Sequence, residues 1–292
     1  AQSMSAPYAS DPLFRFDNTG RRDASTAVTL GHRTAVWRPQ LRAYAAVRDE
    51  DLVRTILLAP GLGDRHARGL SSVATGGSLE GEHTLATRGS PVVRFGVDLS
   101  REHLETNYRS VDAAGGIGAL ESEVTGRRVR TGMFASTSWT PLSRVRVSGV
   151  LRWDNADDAG FGALSPGATA PAQRAWSPRG GVVFQLNEAG SATLFVQASR
   201  AFKVPTLDQL FDPRPYPDFQ GGTFTISNSR LVPQRAANVE AGVSGGGKAR
   251  WSALAYHMSV EDEIDFDSRT FSYANIGQSR HTGVELEAEG QW

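Results

Sequence analysis

The segment RVRVSGVLRW, residues 144–153, decides the fold of this chain because apolar and polar side chains alternate along it. The apolar set, on odd numbers, is Val145, Val147, Leu151 and Trp153. The polar set, on even numbers, is Arg144, Arg146, Ser148 and Arg152. Successive side chains of a β-strand point to opposite faces, so a strand here has one apolar and one basic face. The segment is about as long as the ~9 to 11 residues with which a tilted strand crosses a membrane.

The same alternation recurs elsewhere in the chain. It is found at 94–99, 182–187, 193–199 and 284–289. A transmembrane barrel alternates lipid-facing with lumen-facing side chains, which fits a chain that is only 39% hydrophobic and has 31 glycines. No apolar run approaches the ~20 residues of a spanning helix. We therefore predict an all-β fold, a transmembrane antiparallel up-and-down β-barrel.

The connections between the predicted strands alternate between short and long. Short turns are predicted at 34–39, 88–90, 140–143, 187–191 and 245–248. Long loops are predicted at 59–68, 105–126, 155–174, 211–230 and 261–269. Outer-membrane barrels have short periplasmic turns and long extracellular loops, so this alternation gives each strand a direction. It also yields about eleven strands, and tryptophans near their ends indicate interfacial girdles. These are Trp37, Trp139, Trp153, Trp176 and Trp251.

Charge and composition argue against several other classes of protein. Lysine plus arginine equals aspartate plus glutamate at 31 each, which gives no global case for nucleic-acid binding. The chain has no cysteine, its six histidines lack ligand spacing, and it has no recognisable catalytic motif. We expect no enzyme activity, no metal and no cofactor. The acidic run Asp262, Glu263, Asp265 and Asp267 has the ligand type that Ca²⁺ prefers, but a solvated loop is the favoured interpretation.

Three segments carry a resemblance to a known family. They are ASRAFKVPTLDQLF at 198–211, SRLVPQRAANVEAGV at 229–243 and EDEIDFDSRTFSYANIGQSRHTGVELEAE at 261–289. In this order they resemble the barrel of TonB-dependent receptors, most strongly over 198–292. The matching positions are Phe202, Lys203, Pro205, Thr206, Leu207, Leu231, Pro233, Glu240, Gly242, Asn275, Gly277, Gly283 and Glu285. Gln234 and Val239 depart from the Glu and the aromatic residue usual in the family.

The resemblance implies a function and a set of partners. It implies energy-coupled import of a scarce nutrient, such as a ferric siderophore or cobalamin, across the bacterial outer membrane. The implied partners are membrane lipid, a plug domain, the TonB complex and the small nutrient cargo. Family barrels have ~22 strands around a plug, so we expect residues 1–292 to be an internal part of such a barrel domain, without the plug. The alternatives are a passive porin, a soluble β-rich binding protein and an outer-membrane phospholipase.

Candidate site residues fall into three groups. Cargo contact is assigned to the 208–227 loop, through Asp208, Phe211, Tyr216, Phe219 and Phe224, with packing of the loop as the alternative. A basic lumen wall that steers an anionic cargo or docks the plug is assigned to Arg128, Arg130, Arg144, Arg146 and Arg152, with a solvated, carboxylate-paired face as the alternative. Glu240 and Glu285 are expected to face the lumen or plug. Pro205 should mark the end of a strand, and Gly242, Gly277 and Gly283 should allow bulges, turns or close approach.

Overall fold

The computed structural model describes residues 2–4, 14–59, 62–112, 114–162, 165–188, 191–212, 216–217, 223–247 and 249–290. The first strands are β1 Gln2–Met4, β2 Phe14–Gly31, β3 Trp37–Ala59, β4 Leu62–Thr84, β5 Val92–Val111, β6 Ile117–Leu142, β7 Val145–Gly162, β8 Ser165–Thr169, β9 Gln173–Gln185 and β10 Ala192–Lys203. They are followed by the helix α1 Leu207–Phe211 and by β11 Tyr216–Pro217, β12 Thr223–Phe224, β13 Gln234–Gly245, β14 Ala249–Glu261, β15 Ile264–Asp267, β16 Ser272–Asn275 and β17 Gln278–Gly290. The described residues include no helix with the length and hydropathy of a membrane span.

One antiparallel sheet dominates the structure. Its strands lie side by side in the order β1, β2, β3, β4, β5, β6, β7, β9, β10, β13, β14, β17, and β8 pairs with β7. Two small hairpins, β11–β12 and β15–β16, lie in its loops. Eleven described strands have 12 or more residues, which confirms the predicted up-and-down order of about eleven strands. Within the described residues β1 does not pair with β17, so the sheet is open.

The two faces of the sheet differ as the alternation predicts. Large apolar side chains are exposed on one face, which we call the outer face; Leu286 is 79% and Trp176 61% exposed. Trp153 is the Cα partner of Trp176 on β9, and Val145 is the partner of Phe184, so the odd residues of 144–153 lie on this face. The even residues lie on the opposite, inner face, where Arg152 binds Asp98 and Asp154.

The long strands correct three of the predicted loops. The 59–68 and 105–126 segments are mostly strand, because β3 reaches Ala59 before β4 begins at Leu62, and β5 reaches Val111 before β6 begins at Ile117. The 155–174 segment is also mostly strand, because β7 runs to Gly162, β8 spans Ser165–Thr169 and β9 begins at Gln173. β6, with 26 residues, spans about 85 Å at ~3.3 Å per residue, well beyond one membrane thickness. Outside lipid neither face needs apolar side chains, so the alternation fades while backbone pairing continues.

Glycine makes room for an aromatic ring on the inner face. Tyr256 is the Cα partner of Gly283, and a Cβ at Gly283 would lie 2.6 Å from the tyrosine Oη. The same arrangement joins Phe195 to Gly242, where a Cβ would lie 2.7 Å from the ring. Gly277 has φ +65°, a left-handed conformation that favours glycine.

The buried hydrophobic cluster lies between the inner face and the loops that cover it. Leu104 and Val124 come from β5 and β6, and the chain that follows β10 covers them. The other buried members are Ala170, Leu207, Leu210, Phe211, Leu231 and Ile264. The loop end of the inner face is therefore a packed surface.

Candidate functional site

The helix α1 begins immediately after β10 leaves the sheet. Pro205 has no N–H to donate to a neighbouring strand, and the chain turns inward there. Thr206 caps the helix: its hydroxyl accepts from the Gln209 N–H at 3.2 Å, and the Gln209 side chain accepts from the Thr206 N–H at 2.9 Å. The helix buries Leu207, Leu210 and Phe211, spaced as one helical face.

A buried ion pair holds the start of α1. Arg128 on β6 and Asp158 on β7 are Cα partners, and their side chains are 6% and 0% exposed. The guanidinium donates from Nε to Oδ1 at 2.6 Å and from Nη2 to Oδ2 at 2.8 Å. Nη2 also donates to the carbonyl of Pro205 at 2.6 Å. This bidentate geometry satisfies both charges and joins two strands to the loop.

Two further strands hold the helix itself. Arg68 on β4 donates from Nη2 to Asp208 at 2.5 Å, and the hydroxyl of Tyr108 on β5 donates to Asp212 at 2.8 Å. Arg68 and Tyr108 are Cα partners, so both contacts arise from one position on the wall. Arg128 of β6 contacts Pro205, and Gly160 of β7 packs against Phe211, so residues of four consecutive strands, β4 to β7, contact the 205–212 segment. We call this arrangement the loop-docking site.

The same surroundings shift the pKa values of two of its groups. Burial raises the pKa of the Tyr108 hydroxyl, and the nearby Asp212 carboxylate raises it further. Burial is the largest single influence on the Arg68 guanidinium and lowers its pKa, but the nearby negative charges, Asp208 first among them, and the hydrogen bond to Asp208 together outweigh burial, so the pKa ends above its ordinary value. Tyr108 therefore stays neutral and Arg68 charged, which keeps both hydrogen bonds intact.

The second and third sequence motifs meet beside the first. The Asn275 side chain accepts from the Val232 N–H at 3.0 Å and donates to the Val232 carbonyl at 2.9 Å, as a paired strand would. It also donates to the carbonyl of Asp262 at 2.8 Å. Leu231, 1% exposed, packs in the same cluster as Leu207. Motifs that are far apart in sequence thus form one buried arrangement around the loop-docking site.

The residues predicted to contact cargo differ in burial and in the contacts that they make. Phe211 is buried over Gly160, where a Cβ would lie 2.5 Å from the ring, so its ring packs the loop and is not presented on its surface. Asp208 is held by Arg68. Tyr216 pairs through its backbone with Phe224, whose ring lies 5.3 Å from that of Phe271. Phe219 lies outside the described residues.

The five arginines do not form one uncompensated basic wall. Carboxylates pair with three of them: Asp158 with Arg128, Glu188 with Arg144, and Asp98 and Asp154 with Arg152. Arg128 lies at the loop end of β6, whereas Arg144 lies in the short turn before β7. Arg130 and Arg146 lie on the inner face and have no ion-pair partner among the described residues.

The two glutamates that were predicted to face the lumen lie at strand positions that point to the inner face. Glu240 accepts from the Gln197 side chain at 2.6 Å, and Glu285 is the Cα partner of Leu254. In the acidic loop, Asp267 binds Arg269 at 3.1 Å, which lowers the pKa of that carboxyl. Over the described part of the chain, no group of three or more histidine, aspartate or glutamate side chains is placed to hold a metal ion.

Sequence reasoning missed the partners that make the loop-docking site. Asp158, Arg68, Tyr108 and Asp212 carry no motif of their own, and their significance arises only from strand register. It also missed Phe266 and Phe271, which are 41% and 44% exposed; the Phe271 ring lies beside the rings of Phe224 and Phe266. Their aromatic spacing in the 261–289 motif was the available signal.

Comparison with known proteins identifies the family. The description "TonB dependent receptor-like, beta-barrel" matches residues 3–292. The chain belongs to this family. Both the predicted fold class and the predicted family are therefore confirmed, and the family is one of receptors and transporters.

Solved structures and curated relatives agree with this assignment. "Copper transporter OprC" superposes with a TM-score of 0.74 at 19% identity, over 95% of this chain and 44% of that chain. The unliganded "ferric citrate transporter FecA" gives 0.73 at 11% identity, over 95% and 40%. "Vitamin B12 transporter BtuB" of Vibrio cholerae serotype O1 is 34% identical over 91 residues, 30% of this chain and 13% of that protein. The chain thus spans less than half of each of these proteins.

Proposed function

We propose that this chain forms barrel wall and outer loops of a TonB-dependent receptor that imports a scarce nutrient through the bacterial outer membrane. The cargo is a metal chelate such as a ferric siderophore, or cobalamin. The proposed partners are outer-membrane lipid, a plug domain and the TonB complex, and no bond of the cargo is made or broken. The observation that carries this proposal is the family match over residues 3–292.

The loop-docking site gives the proposal a mechanical basis. The connection from β10 to β13 is fixed at its base by Arg128, Arg68 and Tyr108. It is joined to the connection from β14 to β17, because the Tyr273 N–H donates to the Ile226 carbonyl at 2.7 Å. Two outer loops therefore act as one unit above the inner face, which suits a receptor that must present a defined surface to its cargo.

The cargo contact that best fits this unit is its exposed aromatic cluster. The Phe271 ring lies 5.3 Å from the Phe224 ring and 6.4 Å from the Phe266 ring. Phe266 and Phe271 are exposed. Adjacent aromatic surfaces bind flat or apolar parts of a ligand. Tyr216 and Phe219 remain proposed members, whereas buried Phe211 does not.

Energy-coupled uptake tests the proposal directly. Cells that lack the chromosomal receptor gene and express the full receptor would be given radiolabelled cyanocobalamin and, separately, radiolabelled ferric siderophores. We expect accumulation of one cargo that stops when TonB is deleted or the proton gradient is collapsed. Passage of small sugars that persists without TonB would instead establish the passive porin.

A further inference from the structure

Three arginines lie on the outer face at the loop end of the sheet. They are Arg200 on β10, Arg235 on β13 and Arg280 on β17, and all three are exposed. Each arginine lies four residues from an exposed valine on the same strand, so the two side chains point to the same face. The pairs are Arg200 and Val196, Arg235 and Val239, and Arg280 and Val284. Each guanidinium therefore continues the exposed apolar face of its own strand.

Their distance from the short turns matches the thickness of a membrane. Nine residues run from Ala192, the start of β10, to Arg200; eleven run from Arg235 to Gly245, the end of β13; eleven run from Arg280 to Gly290, the end of β17. A tilted strand crosses the hydrocarbon region in ~9 to 11 residues. On all three strands the arginine thus lies where the far membrane surface is expected.

The strand register places the three arginines near one another. Arg200, Ala237, Ser259 and Arg280 are successive Cα partners across β10, β13, β14 and β17. Three strand spacings of ~4.8 Å separate Arg200 from Arg280 by about 14 Å. Arg235 is diagonal to Arg200, two residues along β13, at about 7 to 8 Å. At these separations, three arginine side chains are long enough to reach one headgroup.

These arginines have no ion-pair partner among the described residues. Across the part of the chain that the structure describes, none of the three guanidinium groups makes an ion pair or a side-chain hydrogen bond. The acidic neighbour, Glu261, is the Cα partner of Arg235 but forms no ion pair with it. On β7 and β9, by contrast, the rim residues bind one another: Arg174 donates to Asn155 at 3.1 Å, and Asn155 to Asp157 at 2.7 Å.

We propose that Arg200, Arg235 and Arg280 bind the phosphate groups of a membrane lipid whose acyl chains lie on the apolar face below. Guanidinium groups are strong phosphate ligands, and basic residues at a membrane surface attract anionic headgroups. The apolar residues below, Val196, Val239, Val284 and Leu286, are 49% to 79% exposed and offer the acyl-chain surface. The proposal rests on the membrane position in the proposed function but not on import.

Native mass spectrometry of the full receptor in neutral detergent tests this inference. The probes are dioleoyl phosphatidic acid, dioleoyl phosphatidylcholine and inorganic phosphate. We expect the wild type to retain phosphatidic acid in preference to phosphatidylcholine, and R200Q/R235Q/R280Q to bind it at least about tenfold more weakly. The R200K/R235K/R280K variant keeps the charge and should retain most of the binding.

A matched control removes the same charge elsewhere. R33Q/R88Q/R250Q alters three exposed arginines at the short-turn end and should bind phosphatidic acid as the wild type does. The proposal would be overturned if both triple-glutamine variants lost the same share of phosphatidic acid binding, or if R200Q/R235Q/R280Q lost none. If inorganic phosphate displaced phosphatidic acid from the receptor when both were at the same concentration, the assignment of the ligand as a lipid would be overturned. Because lipid binding is read without transport, a failed uptake experiment would leave this result unaffected.

Discussion

Arg128 and Asp158 face each other across β6 and β7, and the Nη2 atom that binds Asp158 also donates to the carbonyl of Pro205. One buried guanidinium therefore ties the barrel wall to the loop that follows β10. Pro205 of the first sequence motif makes this contact, and the next two residues of the motif, Thr206 and Leu207, begin α1. The motif therefore lies where the loop docks on the barrel wall.

Removal of this guanidinium should destabilise the receptor. Arg128→Ala leaves Asp158 buried without a counter-charge, which typically costs about 3 to 5 kcal/mol. Denaturant unfolding in detergent, followed by tryptophan fluorescence, measures the change. Arg130→Ala is the control, because Arg130 is exposed two residues further along β6. Equal unfolding midpoints for the two variants would contradict the structural role of the ion pair.

Filling the space beneath Phe211 should release α1 from the wall. A Cβ at Gly160 would lie 2.5 Å from the phenyl ring, so Gly160→Ala forces a displacement that costs about 1 to 3 kcal/mol. Amide hydrogen exchange should become faster over 205–212. Gly149→Ala on the same strand is the control, since its Cβ meets only Thr137 at 3.9 Å. Unchanged exchange in Gly160→Ala would mean that Phe211 does not hold the helix.

Alkaline pH should weaken the docked loop through Tyr108. Its pKa in the folded state lies above the ordinary value of ~10, so the unfolded state loses the proton first and folding stability falls as pH rises above ~10. Below that pH this group contributes no pH dependence. Thermal unfolding from pH 8 to pH 11 should show a steeper alkaline decline for the wild type than for Tyr108→Phe. Parallel curves would show that Tyr108 ionises freely.

The exposed aromatic pair should govern cargo affinity. Phe266→Ala combined with Phe271→Ala should weaken cargo binding by about tenfold, equivalent to ~1.4 kcal/mol, without altering the unfolding midpoint. Binding of the cargo identified by uptake would be measured by calorimetry. Phe161→Ala is the control, because Phe161 is exposed but belongs to the outer face of β7. The same affinity in all three proteins would remove the cluster from the cargo site.

Much of the sheet could be predicted because its physical cause is local. The alternation of apolar and polar side chains along 144–153 assigns each residue of that strand to one face of the sheet, because successive side chains point to opposite sides. The predicted turns at 140–143 and 245–248 lie where β6 and β13 end. The loops predicted at 59–68, 105–126 and 155–174 were wrong because strands that extend into water keep their hydrogen bonds but lose the apolar face that marks them.

The sequence by itself therefore determined the strand order, the two faces and the family, all of which follow from periodicity and from motifs that are continuous in the chain. Only the tertiary structure decided what the motifs do. Arg68 and Asp208 are 140 residues apart, and Arg128 and Pro205 are 77 apart. Such pairs depend on the register of several strands and on the path of a loop across them, and no local pattern encodes either one.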